Sequence, residues 1–237
     1  MLNVKNTMLD ALLELIAPHL CSSCGAIGSV FCDNCKYDIV YPDEDFCWCC
    51  GNAYRGRLCD DCRLIIKEID CLGARSGGLQ NLIGGLKFQY RRAAAKRLAG
   101  LMLPIVEQLS NDALLTYIPT RASNIRIRGY DHMALIARNI QKLSGRQVCR
   151  LIAVADSHLS QHKLSKTARQ IAASAAFHLT ANSVSGRQVV IIDDIVTTGA
   201  TVRAAAQVLR DGGAADVSVL MIARQPSTTI RQSVKIA

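Results

Sequence analysis

Residues 189–201, Val-Val-Ile-Ile-Asp-Asp-Ile-Val-Thr-Thr-Gly-Ala-Thr, combine a buried strand, two carboxylates and an anion-binding turn. Four consecutive β-branched residues suit a short strand buried on both faces of a parallel sheet. Asp193 and Asp194 follow where that strand leaves the core, the place where ligands of open α/β sheets bind. Adjacent carboxylates raise each other's pKa unless something shares their charge, as a sugar diol with bound Mg2+ would. Thr197, Thr198, Gly199, Ala200 and Thr201 then supply hydroxyls and a glycine able to take positive φ, just ahead of a helical pattern (Val202, Ala205, Ala206, Val208, Leu209). Backbone N–H groups at such a helix start hold phosphate. A solvated strand end with a threonine N-cap is the blander reading. A Walker B strand is another, but it needs a G-x4-G-K-[ST] loop, and neither that nor G-x-G-x-x-G occurs.

A second chemistry sits at the other end of the chain, where ten of the eleven cysteines precede residue 72. Cys21-Ser22-Ser23-Cys24-Gly25 with Cys32-Asp33-Asn34-Cys35 is echoed by Cys47-Trp48-Cys49-Cys50-Gly51 with Cys59-Asp60-Asp61-Cys62. In a zinc knuckle the glycine takes positive φ, so that backbone N–H groups can point at thiolate sulfur. Sequential pairing gives Cys21/Cys24/Cys32/Cys35 and Cys47/Cys50/Cys59/Cys62, two closed structural zinc sites; interleaved pairing is the alternative. Without a secretory signal, a disulfide framework is the weaker reading. Cys49 could stand in for a neighbouring ligand, whereas Cys71 and Cys149 read as small buried hydrophobes.

The elements that position these groups are legible in outline. At 237 residues, half of them apolar, the chain suits one medium α/β domain plus a small module. No run approaches the roughly 20 apolar residues of a membrane span. The first twenty residues lack a cleavage site and pattern as an amphipathic helix (Met8, Leu12, Leu13, Leu15, Ile16) ended by Pro18, so a cytoplasmic chain, peripheral to any membrane, is expected. The net charge of +9 divides unevenly: residues 1–72 hold six basic and eleven acidic residues, a net of −5, and residues 73–237 hold twenty-two and eight, a net of +14. That excess exceeds what one phosphate-bearing ligand needs and suits a polyanion, with solubility alone as the plain alternative.

Glycine-rich residues 73–85 mark a boundary, and a basic helix is expected from Leu86, carrying Lys87, Arg91, Arg92, Lys96 and Arg97. Residues 114–118 form a strand ended by Pro119, followed by a basic loop to Tyr130 and a helix over 131–143. A strand over 147–153, a polar cationic segment over 155–174 and a last strand over 216–223 complete a β/α alternation that supports a doubly wound parallel sheet.

The 189–201 stretch resembles the signature of type I phosphoribosyltransferases. More widely, the four cysteine pairs, Leu82-Ile83-Gly84-Gly85-Leu86-Lys87-Phe88, Ile118-Pro119 with Arg126-Ile127-Arg128-Gly129-Tyr130, and Gln161 with Arg169 and Phe177 resemble the ComF competence-protein family nearly end to end. The resemblance implies an α/β fold, with a type I phosphoribosyltransferase doubly wound parallel sheet over 73–237 and a small N-terminal Cys-rich double zinc ribbon module over 1–72. It implies phosphoribosyl pyrophosphate as ligand, with Asp193 and Asp194 on the ribose hydroxyls, residues 197–201 on the 5′-phosphate, and Mg2+ accompanying the pyrophosphate. In the family the basic turn before Tyr130 faces the pyrophosphate, which makes Arg121 and Arg126 candidates, since guanidinium binds phosphate in a fork. Gln161, Lys163, Lys166 and Arg169 stand where phosphoribosyltransferases close a loop over substrate; with Lys87 and Arg91 they are the loop or DNA candidates. The family's Asn-Gln after the Gly-aromatic pair is Asp131-His132 here, where the acid suits a helix cap. Two functions follow from the resemblance. One is the handling of incoming single-stranded DNA in natural transformation, with DNA-uptake machinery proteins as partners. The other is transfer of ribose 5-phosphate to a nitrogen acceptor that no residue identifies.

Overall fold

The computed structural model describes residues 18–155, 177–180 and 184–226. The expected N-terminal helix and the segment carrying Gln161, Lys163, Lys166 and Arg169 lie outside these residues. Helices are α1 (Asp60–Arg63), α2 (Gly77–Phe88), α3 (Ala93–Gln108), α4 (Ala122–Arg128), α5 (His132–Ser144) and α6 (Ala200–Asp211). Strands are β1 (Ile69–Ala74), β2 (Leu114–Tyr117), β3 (Ile152–Val154), β4 (Phe177–Leu179), β5 (Gln188–Val196) and β6 (Asp216–Arg224).

Four strands form a parallel sheet in the order β1-β6-β5-β2, with Leu114 to Tyr117 in register with Val189 to Ile192 and Ile191 beside Val219. β5 is central and apolar on both faces because both are covered. Val190 and Ile192 pack with Leu86, Leu98, Met102 and Ile136 of α2, α3 and α5. Val189 and Ile191 pack on the other side with Val202, Ala205 and Leu209 of α6 and with the second cysteine cluster. Burying such a side chain stabilises by about 1.5–3 kcal/mol, an upper figure because unfolded chains are themselves partly collapsed.

Several expectations meet a different structure. The glycine-rich stretch at 73–85, expected to mark the boundary, is the end of β1 and most of α2; a Cβ on Gly78 would lie 2.6 Å from the Phe31 ring, so glycine there lets the cysteine-rich module seat on the helix. The basic helix does not run through from Leu86: α2 stops at Phe88 and α3 begins at Ala93, with Tyr90 at φ 57 between them. The basic loop before Tyr130 is the helix α4, closed by Gly129 in the left-handed region at φ 75. The strand expected over 147–153 is reduced to β3, which pairs antiparallel with β4, plus one bridge from Val148 to Leu115. Its ladder stops early because Leu151 N donates to the Thr116 side chain at 3.2 Å. β1 runs across the expected boundary at 72/73 and pairs with β6 from Ile69 onward.

Candidate functional site

β5 carries the acidic pair to the carboxyl end of the sheet, where Asp193 and Asp194 are each 8% exposed. Side chains alternate along a strand, so the two carboxylates face opposite sides. Asp194 turns toward α2 and α5. There Lys87 Nζ, at the last turn of α2, lies 2.6 Å from its Oδ2, and His132 Nε2, at the first turn of α5, shares the same oxygen. The other face of the imidazole is held as well: Nδ1 lies 2.9 Å from Thr120 Oγ1 and within reach of the Arg128 guanidinium. Thr120 Oγ1 donates to Asp131 Oδ1 at 2.7 Å, and the same oxygen accepts Ala134 N at 3.1 Å as the N-cap of α5. Asp131 thus caps the helix, and that cap fixes the entry of His132.

The two carboxyls differ electrically. Burial, then the charge of Asp194, pushes the Asp193 carboxyl up to about 8. Burial works the same way on Asp194, but the His132 hydrogen bond and the Lys87 ammonium outweigh it and hold that carboxyl below its ordinary range. One acid is therefore poised to stay protonated near neutrality while its neighbour is a paired anion.

The anion turn follows directly. Thr197, Thr198 and Thr201 are exposed, and Gly199 begins α6 at φ 66 without a side-chain cap. The first N–H groups of that helix have no intrahelical partner. The turn is shaped from beneath. Buried Arg224 NH1 donates to Val196 O at 2.8 Å and to Thr197 O at 2.6 Å, with its guanidinium 5.5 Å from the Phe46 ring. A Cβ on Gly199 would lie 2.2 Å from the Cys49 carbonyl oxygen, so only glycine permits the turn to rest on the cysteine knuckle.

Of the other expected contacts, Arg121 is the exposed N-cap of α4 and Arg126 is exposed on it; neither closes on the acids. Lys87, expected among the loop or DNA candidates, is ion-paired with Asp194. Arg91 stays exposed between α2 and α3. His132 was missed as a site residue; its only signal was the departure from the family's Gln.

The cysteines pair sequentially. Cys21, Cys24, Cys32 and Cys35 form one group and Cys47, Cys50, Cys59 and Cys62 the other, with ligand atoms all within 4.8 Å of one another. Their donor sets fit tetrahedral zinc. Backbone N–H groups point at sulfur as a thiolate requires: Cys32 N reaches Cys21 Sγ at 3.4 Å and Cys59 N reaches Cys47 Sγ at 3.4 Å. The repeat is also structural, with Gly25 and Gly51 at φ 76 and 79 and N–H bonds to Cys21 O and Cys47 O. Cys49 takes no place in either group; burial pushes its thiol up to about 11. Cys71 is buried in β1 as expected, and Cys149 is partly buried.

The phosphoribosyl transferase domain family matches residues 135–236. DNA utilization protein YhgH of Escherichia coli O6:H1 is 32% identical over 154 residues, covering 62% of this chain and 67% of the relative. The protein of the same name from Salmonella typhi is 28% identical over 224 residues, covering 81% of this chain and 96% of the relative. Among solved structures, glutamine phosphoribosylpyrophosphate amidotransferase from B. subtilis aligns with 20% identity and a TM-score of 0.39, over 54% of this chain and 26% of that one. With two four-cysteine clusters that fit a double zinc ribbon ahead of a phosphoribosyltransferase domain, the chain belongs to the ComF family.

Proposed function

We propose that this protein binds phosphoribosyl pyrophosphate at the end of β5 and single-stranded DNA on its basic surface, in the handling of DNA taken up by the cell. The observation that carries the ligand half is the buried acidic pair set directly ahead of an uncapped helix start. Asp193 and Asp194 would hold the ribose hydroxyls, and residues 197–201 the 5′-phosphate. Arg121, the N-cap of α4, and Arg126 on that helix are exposed and would contact the pyrophosphate, as would Lys163 or Arg169. A Mg2+ ion arriving with the ligand supplies charge neutralisation of the pyrophosphate. Before the diol enters, Lys87 must release Asp194 Oδ2 or share it with the ligand. In calorimetry with Mg2+, the double variant Asp193→Asn, Asp194→Asn is expected to lose at least about thirtyfold in affinity, the worth of one charge-assisted and one neutral hydrogen bond. Undiminished binding would refute the site.

The DNA half is supported by the net of +14 over residues 73–237 and by relatives named DNA utilization protein YhgH. Among the described residues no helix is long and apolar enough to cross a membrane. We propose a cytoplasmic protein that meets DNA-uptake proteins peripherally. We also propose two structural zinc ions and a division into ribbon module and phosphoribosyltransferase-like domain that falls just before Ile69.

One observation favours a second reading, transfer of ribose 5-phosphate to a nitrogen acceptor. A hollow of about 220 Å³ beside Lys87, lined also by Ile83, Gly84, Phe88, Ile195 and Thr197, could seat a flat ring next to the ribose site. In that reaction the C1–oxygen bond to pyrophosphate breaks as the acceptor nitrogen bonds to C1 and loses its proton. Pyrophosphate release that requires an added base would establish it; none across a panel of nitrogen heterocycles leaves the binding reading alone.

A further inference from the structure

The break between α2 and α3 builds a surface that adjoins the phosphoribosyl site. Gly85 O accepts both Gln89 N at 3.2 Å and Arg91 N at 3.1 Å, which turns the chain outward. Tyr90, at φ 57, is the single non-glycine residue of positive φ among the described residues. A glycine would sit there without strain, yet a tyrosine does, and the residue is 65% exposed. Two residues earlier Phe88 is 72% exposed. Across from it α4 brings Arg128, whose guanidinium lies 5.9 Å from the Phe88 ring centre while its Nε donates to Lys87 O at 2.7 Å. Arg91, next to Tyr90, and Arg126, on α4 with Arg128, are exposed, and among the described residues none of these three arginines is ion-paired.

Two open rings flanked by unneutralised guanidinium groups match a polyanion that also offers flat faces. From this the geometry points to Phe88 and Tyr90 as a base-stacking platform for single-stranded nucleic acid, with Arg91, Arg126 and Arg128 on its phosphates. This deepens the DNA-binding reading above and rests on it. Paired bases present no free faces to such rings, so the surface selects single strands over duplex. The ridge is contiguous with the acid pair, since Phe88 follows Lys87 directly. A stacked strand would therefore pass the mouth of the phosphoribosyl site.

The test uses the full chain and fluorescence anisotropy with three probes: a labelled oligothymidylate, an abasic strand of equal length, and a duplex. Tyr90→Gly removes one ring and relieves the backbone; Phe88→Ala removes the other. Each is expected to weaken oligothymidylate binding by about tenfold, the usual worth of one stacked base, while leaving abasic binding and the salt slope unchanged. Arg91→Gln should instead weaken both single strands alike and lower the salt slope by about one. An unchanged thermal melt of Tyr90→Gly confirms that the fold is intact. Absence of single-strand binding by the wild type would overturn the DNA half of the proposed function. Equal binding of oligothymidylate and abasic strand, or variants that bind like wild type, would overturn the platform and leave DNA binding standing. Tyr90-dependent capture by anionic lipid vesicles without oligonucleotide binding would reassign the patch to a membrane surface.

Discussion

Asp193 and Asp194 are neighbours in sequence and opposites in environment. Asp194 has two cationic or hydrogen-bonding partners on one oxygen; Asp193 Oδ1 accepts only the next backbone N–H, Asp194 N at 2.8 Å. The result is a carboxyl that keeps its proton up to about 8. In the unfolded chain the same group releases its proton near about 3.9. Between those two values the native state binds the extra proton, so unfolding free energy falls as pH rises through the window. Asp193→Asn removes that dependence. Its melting temperature is expected to vary less between about pH 4 and pH 8 than the wild type's. Above that window it should exceed the wild type's by at least about 1.4 kcal/mol in stability, the worth of one pKa unit. An unchanged slope in thermal melts would show that Asp193 is ionised throughout. The carboxylates were legible in the sequence because a charged pair ending an apolar strand demands a ligand. Lys87 and His132 were not, because their approach to Asp194 is set by where two helices begin and end. The end of α2 lacks the glycine that usually marks it, and the cap residue Asp131 marked where α5 begins without showing what His132 would meet.

At the scale of elements, β5 could be read from four β-branched residues, and α5 and α6 from their apolar spacing. The break after Phe88 could not, because its left-handed position carries Tyr90 where glycine is the usual signal. The 73–85 stretch misled for the opposite reason: Gly73, Gly78 and Gly85 serve close packing inside a strand and a helix rather than chain flexibility. Gly199 shows the same use at the anion turn. Gly199→Ala would add strain at φ 66 and a clash with the Cys49 carbonyl, and so should destabilise the fold by about 1–3 kcal/mol. Its loss of phosphoribosyl pyrophosphate affinity should exceed that of Thr198→Ala, whose backbone is untouched. Calorimetry of the pair checks the order; a reversed order would mean that hydroxyls rather than the backbone hold the phosphate.

Across the whole molecule, the two cysteine clusters stand in different relations to the sheet. The first seats on α2 and α3: Asn81 Nδ2 donates to Ser22 O at 3.0 Å and Arg97 NH2 to Asp33 Oδ1 at 2.8 Å. The second lies under the anion turn, where Arg203 of α6 approaches Cys62 Sγ at 4.0 Å and Cys49 supports Gly199. The purified protein is expected to carry close to two zinc ions. Cys62→Ser should cost phosphoribosyl pyrophosphate affinity as well as thermal stability, whereas Cys24→Ser, in the first cluster, should cost stability alone. Metal content, melting temperature and calorimetry on both variants decide it, and equal losses of affinity would show that the clusters act as one. The contact between Gly199 and Cys49 has a bearing on how the chain can be divided. A fragment beginning at Ile69 would keep every residue expected to touch the ligand and lose the floor on which the glycine rests. Grafted onto another N-terminal module, the same sheet would present its acids and threonines around a turn with no fixed height.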